Sequence, residues 1–243
     1  MSKDFSKISD AYEFFVQHSD ERDVCYAALL EKLRQKYQDV SCRPLQILDF
    51  GSGDGSFAQY LSENGITEFH YVSYDPFLKT SSSHPGAKHV SNLAELKGSG
   101  FDVIVSNHSL YYVDDLQGSV DALKALLKSE GVVLIAFASD DDALIVGWNA
   151  FFESISKKVP YQRMMDLSVA LASAGFVSRI TSVPSEISFA DTAESRSKIV
   201  RFMVAEYAPL VEEKTIDAFF SKYKTKSGGI RMPLIDGIIE CRL

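Results

Sequence analysis

The chain has 243 residues, 46% of them apolar and 24% charged, and carries a net charge of −8 at pH 7. This length and composition exclude a disordered chain and suffice for one large domain or two small ones without disulfide or metal support. The acidic balance lacks the cationic footprint that phosphate backbones require, which argues against a nucleic-acid partner. Cys25, Cys42 and Cys241 lie far apart, giving neither a disulfide framework nor a zinc cluster. The amino terminus carries no apolar export core, and no apolar run approaches the roughly 20 residues of a bilayer span. The expectation is a cytoplasmic protein with no membrane partner; the oligomeric state is left open.

In chain order, residues 9–38 read as helix with a break at His18-Ser19-Asp20. Asp10 and Glu13 have capping-box spacing, and Ser19 is placed to cap the second helix. Arg43-Pro44 ends the helical region. Residues 45–50 form a short apolar run that leads into Gly51-Ser52-Gly53-Asp54-Gly55, after which Phe57, Ala58, Tyr60 and Leu61 recur with helical period. Strand, glycine loop and helix follow one another there. A second strand is expected over 69–74, ending at Asp75-Pro76, a weak third over 87–91 and a fourth over 101–106. An amphipathic helix over 116–127 and a fifth strand over 130–138 come next. The second half reads as helices over 143–157, 162–174, 192–207 and 212–223, with late strands over 176–182 and 233–241.

Strands alternating with helices predict right-handed crossovers and an α/β fold: a doubly wound, mostly parallel sheet of seven strands. The expected divisions are an N-terminal helical cap (1–44), a core (45–183), a helical insertion (184–231) and a final core strand (232–243). The insertion is too long for a plain connection.

A glycine loop between strand and helix lets a ligand approach the backbone, and the helix amino terminus offers N–H groups to an anionic group. A dinucleotide fingerprint fits Gly51 and Gly53 but meets Ser56 at its third glycine position, and Asp49 and Asp54 would stand beside a pyrophosphate. S-adenosylmethionine has no phosphate and carries two cationic centres, so these acids favour it. The chain here resembles the class I S-adenosylmethionine-dependent methyltransferases. The resemblance rests on Ile47-Leu48-Asp49-Phe50-Gly51-Ser52-Gly53-Asp54-Gly55, Val72-Ser73-Tyr74-Asp75, Phe101-Asp102-Val103-Ile104-Val105-Ser106 and Glu130-Gly131-Val132-Val133-Leu134, and covers about 45–182. It implies a cofactor site of Asp49, Gly51, Ser52 and Gly53, with Asp75 on the ribose and Pro76 beside it, Ser91 and Asn92 near the adenine, and Asn107 after the fourth strand. The ribose hydroxyls are donors, so a carboxylate there is chemically reasonable.

The Asn/Asp-Pro-Pro-aromatic motif of amino-base nucleic-acid methyltransferases is absent from Ser106-Asn107-His108-Ser109-Leu110-Tyr111-Tyr112. With the acidic balance, this favours a small-molecule acceptor. Phe14-Phe15-Val16-Gln17-His18-Ser19-Asp20-Glu21, Leu110-Tyr111-Tyr112-Val113-Asp114-Asp115, the single Trp148 and the late helical insertion are similar to the histamine N-methyltransferase-like small-molecule methyltransferases. That similarity implies Glu21 on the acceptor's amine and Tyr12, Phe15, Tyr111, Tyr112 and Trp148 around the acceptor, with the cap segments forming its pocket. Two positions depart from that pattern: His108 stands where the relatives have an amide, and Met232 where they have an asparagine. His108 is the candidate general base, because an attacking amine must be neutral and His titrates near neutral pH.

The favoured function is methyl transfer from S-adenosylmethionine to a small acceptor, an amine nitrogen first. The alternatives are O-methylation of a hydroxyl or carboxylate of a secondary metabolite, a non-catalytic binding protein on the same scaffold and, third, a nicotinamide-linked oxidoreductase. Asp114-Asp115 and Asp140-Asp141-Asp142 read as helix starts. Lys222, Lys224 and Lys226 read as a solvated face. His18, His70, His84 and His89 show no metal-ligand spacing, and Ser81-Ser82-Ser83 has no supporting base.

Overall fold

The structure, a computed structural model, describes residues 5–39, 43–77 and 86–243. Cys42, His84 and the serine run 81–83 lie outside the described residues. The chain divides into two compact units, one of 25–137, 162–182 and 237–243, the other of 1–24, 138–161 and 183–236.

The sheet strands are β1 (Leu45–Phe50), β2 (Phe69–Tyr74), β3 (Lys88–Val90), β4 (Phe101–Asn107), β5 (Leu127–Ala138), β6 (Val177–Ala190) and β7 (Gly229–Arg242); of the last two, 177–182 and 237–242 belong to the first unit and the rest to the second. The strand order is β3-β2-β1-β4-β5-β7-β6, seven strands in all. β1 pairs in parallel with β2 and β4, β2 with β3, and β4 with β5. The sheet is mostly parallel, as expected. β1 and β4 are buried almost throughout, with Ile47, Leu48, Val103 and Ile104 fully enclosed, which is why both read as continuous apolar runs rather than alternating ones. β2 and β3 run outward from β1 on one side and β5 from β4 on the other, with β7 between β5 and β6. The carboxyl ends of β1 and β4 therefore flank the topological switch point, where open α/β sheets place their ligands.

Three strands run further than their apolar runs suggest. β6 extends through Ala190, with Ile187 and Phe189 buried and Ser188 and Ala190 exposed. Pro184 lies within it; β6 is an edge strand, where a missing ladder donor is tolerated. β7 starts at Gly229, and Ile230, Met232 and Leu234 alternate into the core. β6 and β7 thus take up 184–190 and 229–231 of the expected insertion. β5 begins at Leu127 rather than 130, because Leu127 pairs with Phe101 ahead of a register shift.

At the amino-terminal end of β4, Asp102 forms a clamp. Its buried carboxylate accepts from Arg43 Nη1 and Nη2 at 2.7 and 2.5 Å, Lys128 Nζ at 3.0 Å and the Gln46 amide at 2.9 Å. These bonds outweigh its burial and hold it well below the usual carboxylate range.

The second unit is mainly helical: α1 (Ser9–His18), the first residues of α2 (Glu21–Asp39), α5 (Ala143–Ser154), α7 (Ala193–Val204) and α8 (Glu213–Phe220). α3 (Ser56–Glu63), α4 (Leu116–Leu126) and α6 (Met164–Ser173) belong to the sheet unit. The expected capping box at Asp10 is not formed: α1 begins after Ile8 with no side-chain cap. Asp10 instead pairs with Arg201 of α7 at 2.8 Å. Ser19 does act at the start of α2, where its Oγ accepts from Glu21 N at 3.0 Å. Lys224 pairs with Asp191 at 3.3 Å, so it is not simply part of a solvated face. Asp115 and Asp142 cap α4 and α5 with their side chains.

Candidate functional site

The site in the sheet unit starts at the carboxyl end of β1. Gly51 has φ +78°, and a Cβ there would stand 2.1 Å from Ser109 Cβ. The loop is drawn over the end of β2 by Gly51 N and Ser52 N, which donate to Tyr74 O at 2.7 and 3.1 Å. Gly53, at φ +53°, has open space where a side chain would stand. Gly55, at φ +73°, donates to Ser52 O at 2.9 Å and leads into α3. Asp54 Oδ1 accepts from Ser56 N at 3.0 Å, so this acid caps the turn into the helix.

Ser109 bridges the two strand ends at the switch point. Its Oγ donates to Phe50 O at 2.7 Å and lies 2.7 Å from Ser106 Oγ. Ser109 and Ser106 escaped the sequence reading. Ser109 is 59 residues from Phe50, and no local pattern marks a hydroxyl that will close on a distant carbonyl.

Asp49 is buried and accepts a hydrogen bond from Tyr71 Oη. Burial pushes its carboxyl up to about 7; the Tyr71 bond works against this, while Asp54 and Asp75 add to it. Asp75 ends β2 half-buried. Its amide donates to Val90 O at 3.3 Å, and its Oδ1 accepts from Phe77 N at 2.8 Å across exposed Pro76. Ser91 and Asn92 are exposed after β3, and Asn92 Oδ1 caps the short 3-10 turn Leu93–Leu96 through Ala94 N at 2.9 Å.

Asn107 ends β4. His108 follows in the left-handed region at φ +51°, its amide bonded to Ala136 O at 3.1 Å and its Nδ1 3.2 Å from Tyr111 Oη. A bulky residue at positive φ is uncommon and aims the ring by backbone constraint. Tyr111 is buried against Phe137, with ring centroids 3.9 Å apart, and Tyr112 is half-buried. Ser52 Oγ and Asn107 Oδ1 are buried and, among the described residues, carry no hydrogen-bond partner. Buried polar atoms are otherwise almost always paired. These two belong to the segments that follow β1 and end β4, and an adenosyl amino acid has the donors and acceptors to satisfy them.

The other candidates lie in the helical unit. Glu21 is buried, not solvated at its helix's first turn. Burial and then Asp236, Asp142 and Asp20 push its carboxyl well up, against Arg22. Asp142 is also raised, to about 7, by burial and Asp236 against the pull of three backbone amides. Phe15 stacks on Phe202 at 4.3 Å, and Trp148 packs on Tyr161 at 4.7 Å inside this unit. Tyr12 is more exposed and accepts from Arg22 Nη2 at 3.0 Å. Met232 is fully buried.

A parallel doubly wound sheet with a glycine loop after β1, an acid after β2 and a polar pair after β4 defines a class I methyltransferase fold. The family model described as Methyltransferase domain matches residues 16–179, more than half of the chain, and the chain belongs to that family. The YcgJ protein of Bacillus subtilis has a similar structure, with TM-score 0.58 and 13% identity over 89% of this chain and 99% of that one. So does the plantazolicin methyltransferase BamL, solved with a desmethylPZN analog and SAH, with TM-score 0.54 and 14% identity over 98% and 90%. Among curated proteins, the human mitochondrial arginine-hydroxylase NDUFAF5 is 33% identical over 99 residues, 39% of this chain and 29% of that one. The match thus spans about a third or less of the length of the curated relatives. No helix among the described residues is long and apolar enough to cross a membrane.

Proposed function

We propose that the chain transfers a methyl group from S-adenosylmethionine to a small acceptor whose nucleophile is an amine nitrogen. The observation that carries the cofactor assignment is that Ser52 Oγ and Asn107 Oδ1 are buried and, among the described residues, without a hydrogen-bond partner, with the glycine loop open at Gly53. Asp49, Asp54 and Asp75 lie near one another, and these acids suit a sulfonium and an ammonium and repel a pyrophosphate. The cofactor supplies an electrophilic methyl carbon. Gly51, Ser52 and Gly53 hold its amino-acid end, Asp49 faces its ammonium and Asp75 accepts from the ribose. Ser91 and Asn92 border the base.

The protein's task is alignment and exclusion of water, since the displacement needs little further activation. His108, oriented by its backbone and Tyr111, takes the proton the acceptor nitrogen must lose. In the helical unit Glu21 is the proposed anchor for a cationic group, with Tyr12, Phe15 and Trp148 as apolar surface of that unit; in the sheet unit Tyr112 is the proposed apolar surface.

Asp75→Ala is expected to weaken S-adenosylhomocysteine binding by ~1.5–3 kcal/mol, the range for charge-assisted hydrogen bonds. Calorimetry checks this, and unchanged affinity removes Asp75 from the site. A screen of amines, carboxylates and phenols with labelled cofactor tests the acceptor class; transfer only to hydroxyls or carboxylates replaces the amine reading by O-methylation.

A second reading changes the acceptor's cation to a guanidinium. Buried Glu21, Asp142 and Asp236 in one unit favour a cation with several donors, and the curated relatives are named arginine-hydroxylases. An arginine peptide in the same screen, followed by mass spectrometry, separates a methyl from an oxygen addition and from no change.

A further inference from the structure

The glycine loop has little side-chain material to fix its own shape. Gly51, Gly53 and Gly55 all take positive φ, so the main chain there depends on what bonds to it from outside. Tyr74 O supplies one anchor, at the sheet end of the loop. A second anchor comes from α2. Tyr26 is buried, and its hydroxyl lies 2.9 Å from the Oγ of Ser56, the first residue of α3. Its ring packs on the same helix, 4.9 Å from Phe57 and 5.3 Å from Tyr60. Ser56 is also tied back to the loop, because its amide donates to Asp54. Ring packing would survive in a phenylalanine, whereas the bond to Ser56 needs the hydroxyl.

We propose that Tyr26 is a positioning residue for the cofactor: its hydroxyl, acting through Ser56, holds the junction of glycine loop and α3 in the shape that receives the amino-acid end of the cofactor. The proposal rests on the S-adenosylmethionine reading above. Its physical basis is preorganisation. A loop already in its bound shape loses less conformational freedom on binding. The effect belongs to affinity, since neither Tyr26 nor Ser56 is placed at the reacting atoms.

The test is calorimetric titration of the full chain with S-adenosylhomocysteine, using the unaltered protein, Tyr26→Phe, Ser56→Ala, the double variant and Ser56→Thr. Each of the first two single variants is expected to raise Kd about 5- to 10-fold, the worth of one hydrogen bond. The double variant is expected to be no weaker than either single one, because both remove the same interaction. Ser56→Thr keeps the hydroxyl and should bind as the unaltered protein does. Tm should move by no more than about 2 °C; a merely structural role would lower Tm and leave Kd alone. Unchanged Kd in Tyr26→Phe and Ser56→Ala, or effects that multiply in the double variant, overturns the role of Tyr26. Should Tyr26→Phe fail to fold, Ser56→Ala and Ser56→Thr decide it. Absence of binding by the unaltered protein overturns the cofactor reading instead, which keeps the two failures distinct.

Discussion

Gly51→Ala is expected to destabilise the protein by about 3 kcal/mol and to lower S-adenosylhomocysteine affinity more than ~100-fold. Two costs add. An alanine at φ +78° takes up a left-handed backbone that costs ~1–2 kcal/mol. Its methyl group would also stand 2.1 Å from Ser109 Cβ, and overpacking of this kind costs ~1–3 kcal/mol. Ser109 has no room to yield, since its Oγ is bonded to Phe50 O. The loop must shift, and with it the face offered to the cofactor. Gly53→Ala is the control: nothing lies within 4 Å of its Cβ, so only the backbone cost of ~1 kcal/mol applies. Ser109→Gly placed in the Gly51→Ala background should recover about half of the loss. Denaturant melts and calorimetry on these variants check the argument, and equal losses at Gly51 and Gly53 would sink the contact with Ser109 as the cause.

Asp102→Ala should lower stability by about 3 kcal/mol at pH 7, with little effect on cofactor affinity. The carboxylate is buried and takes bonds from Arg43, Lys128 and the Gln46 amide. Bonds to a charged group contribute ~1.5–3 kcal/mol each, and the sum is discounted because Arg43 and Lys128 keep 46% and 34% of their side chains exposed. The sign with pH follows from the depressed folded-state value. The unfolded carboxyl titrates near ~4, so the full contribution is present above that pH. It is lost as pH falls from there toward the folded value. The unaltered protein should therefore lose more stability than Asp102→Ala between about pH 5 and pH 2. Parallel acid-stability curves for the two proteins would remove Asp102 as the source.

Features written in short stretches of chain were readable in advance. The glycine loop follows one apolar run, Asp75-Pro76 ends the next, and the helical break at His18-Ser19-Asp20 falls between α1 and α2. The mostly parallel sheet follows from alternating strands and helices, whereas the place of β7 between β5 and β6 does not. Features that depend on distant partners were not readable. Ser109 meets Phe50 and Arg43 meets Asp102, each across 59 residues. Glu21 was singled out by resemblance alone; its burial beside Asp142 and Asp236 requires α5 and β7 to be in place. The outer half of β6, which contains Pro184, was not readable, because a proline in a strand is tolerated at a sheet edge and the edge is set by the whole sheet. The acidic candidate site was legible as chemistry, while the orphaned atoms of Ser52 and Asn107 emerged only from three-dimensional burial.

One carboxylate in the helical unit ties two elements into a single kinetic event. Asp142 Oδ1 accepts from Leu144 N at 2.7 Å and Ile145 N at 3.4 Å, and its Oδ2 accepts from Ile235 N at 2.7 Å. The first turn of α5 cannot fray while Asp142 stays in place, and β7 at Ile235 cannot part from it without freeing the same side chain. Amide deuterium exchange at Leu144, Ile145 and Ile235 should therefore proceed at one shared opening rate, although these residues lie in different elements and some ninety positions apart in sequence. In Asp142→Ala the three rates should separate, with the helix amides exchanging first.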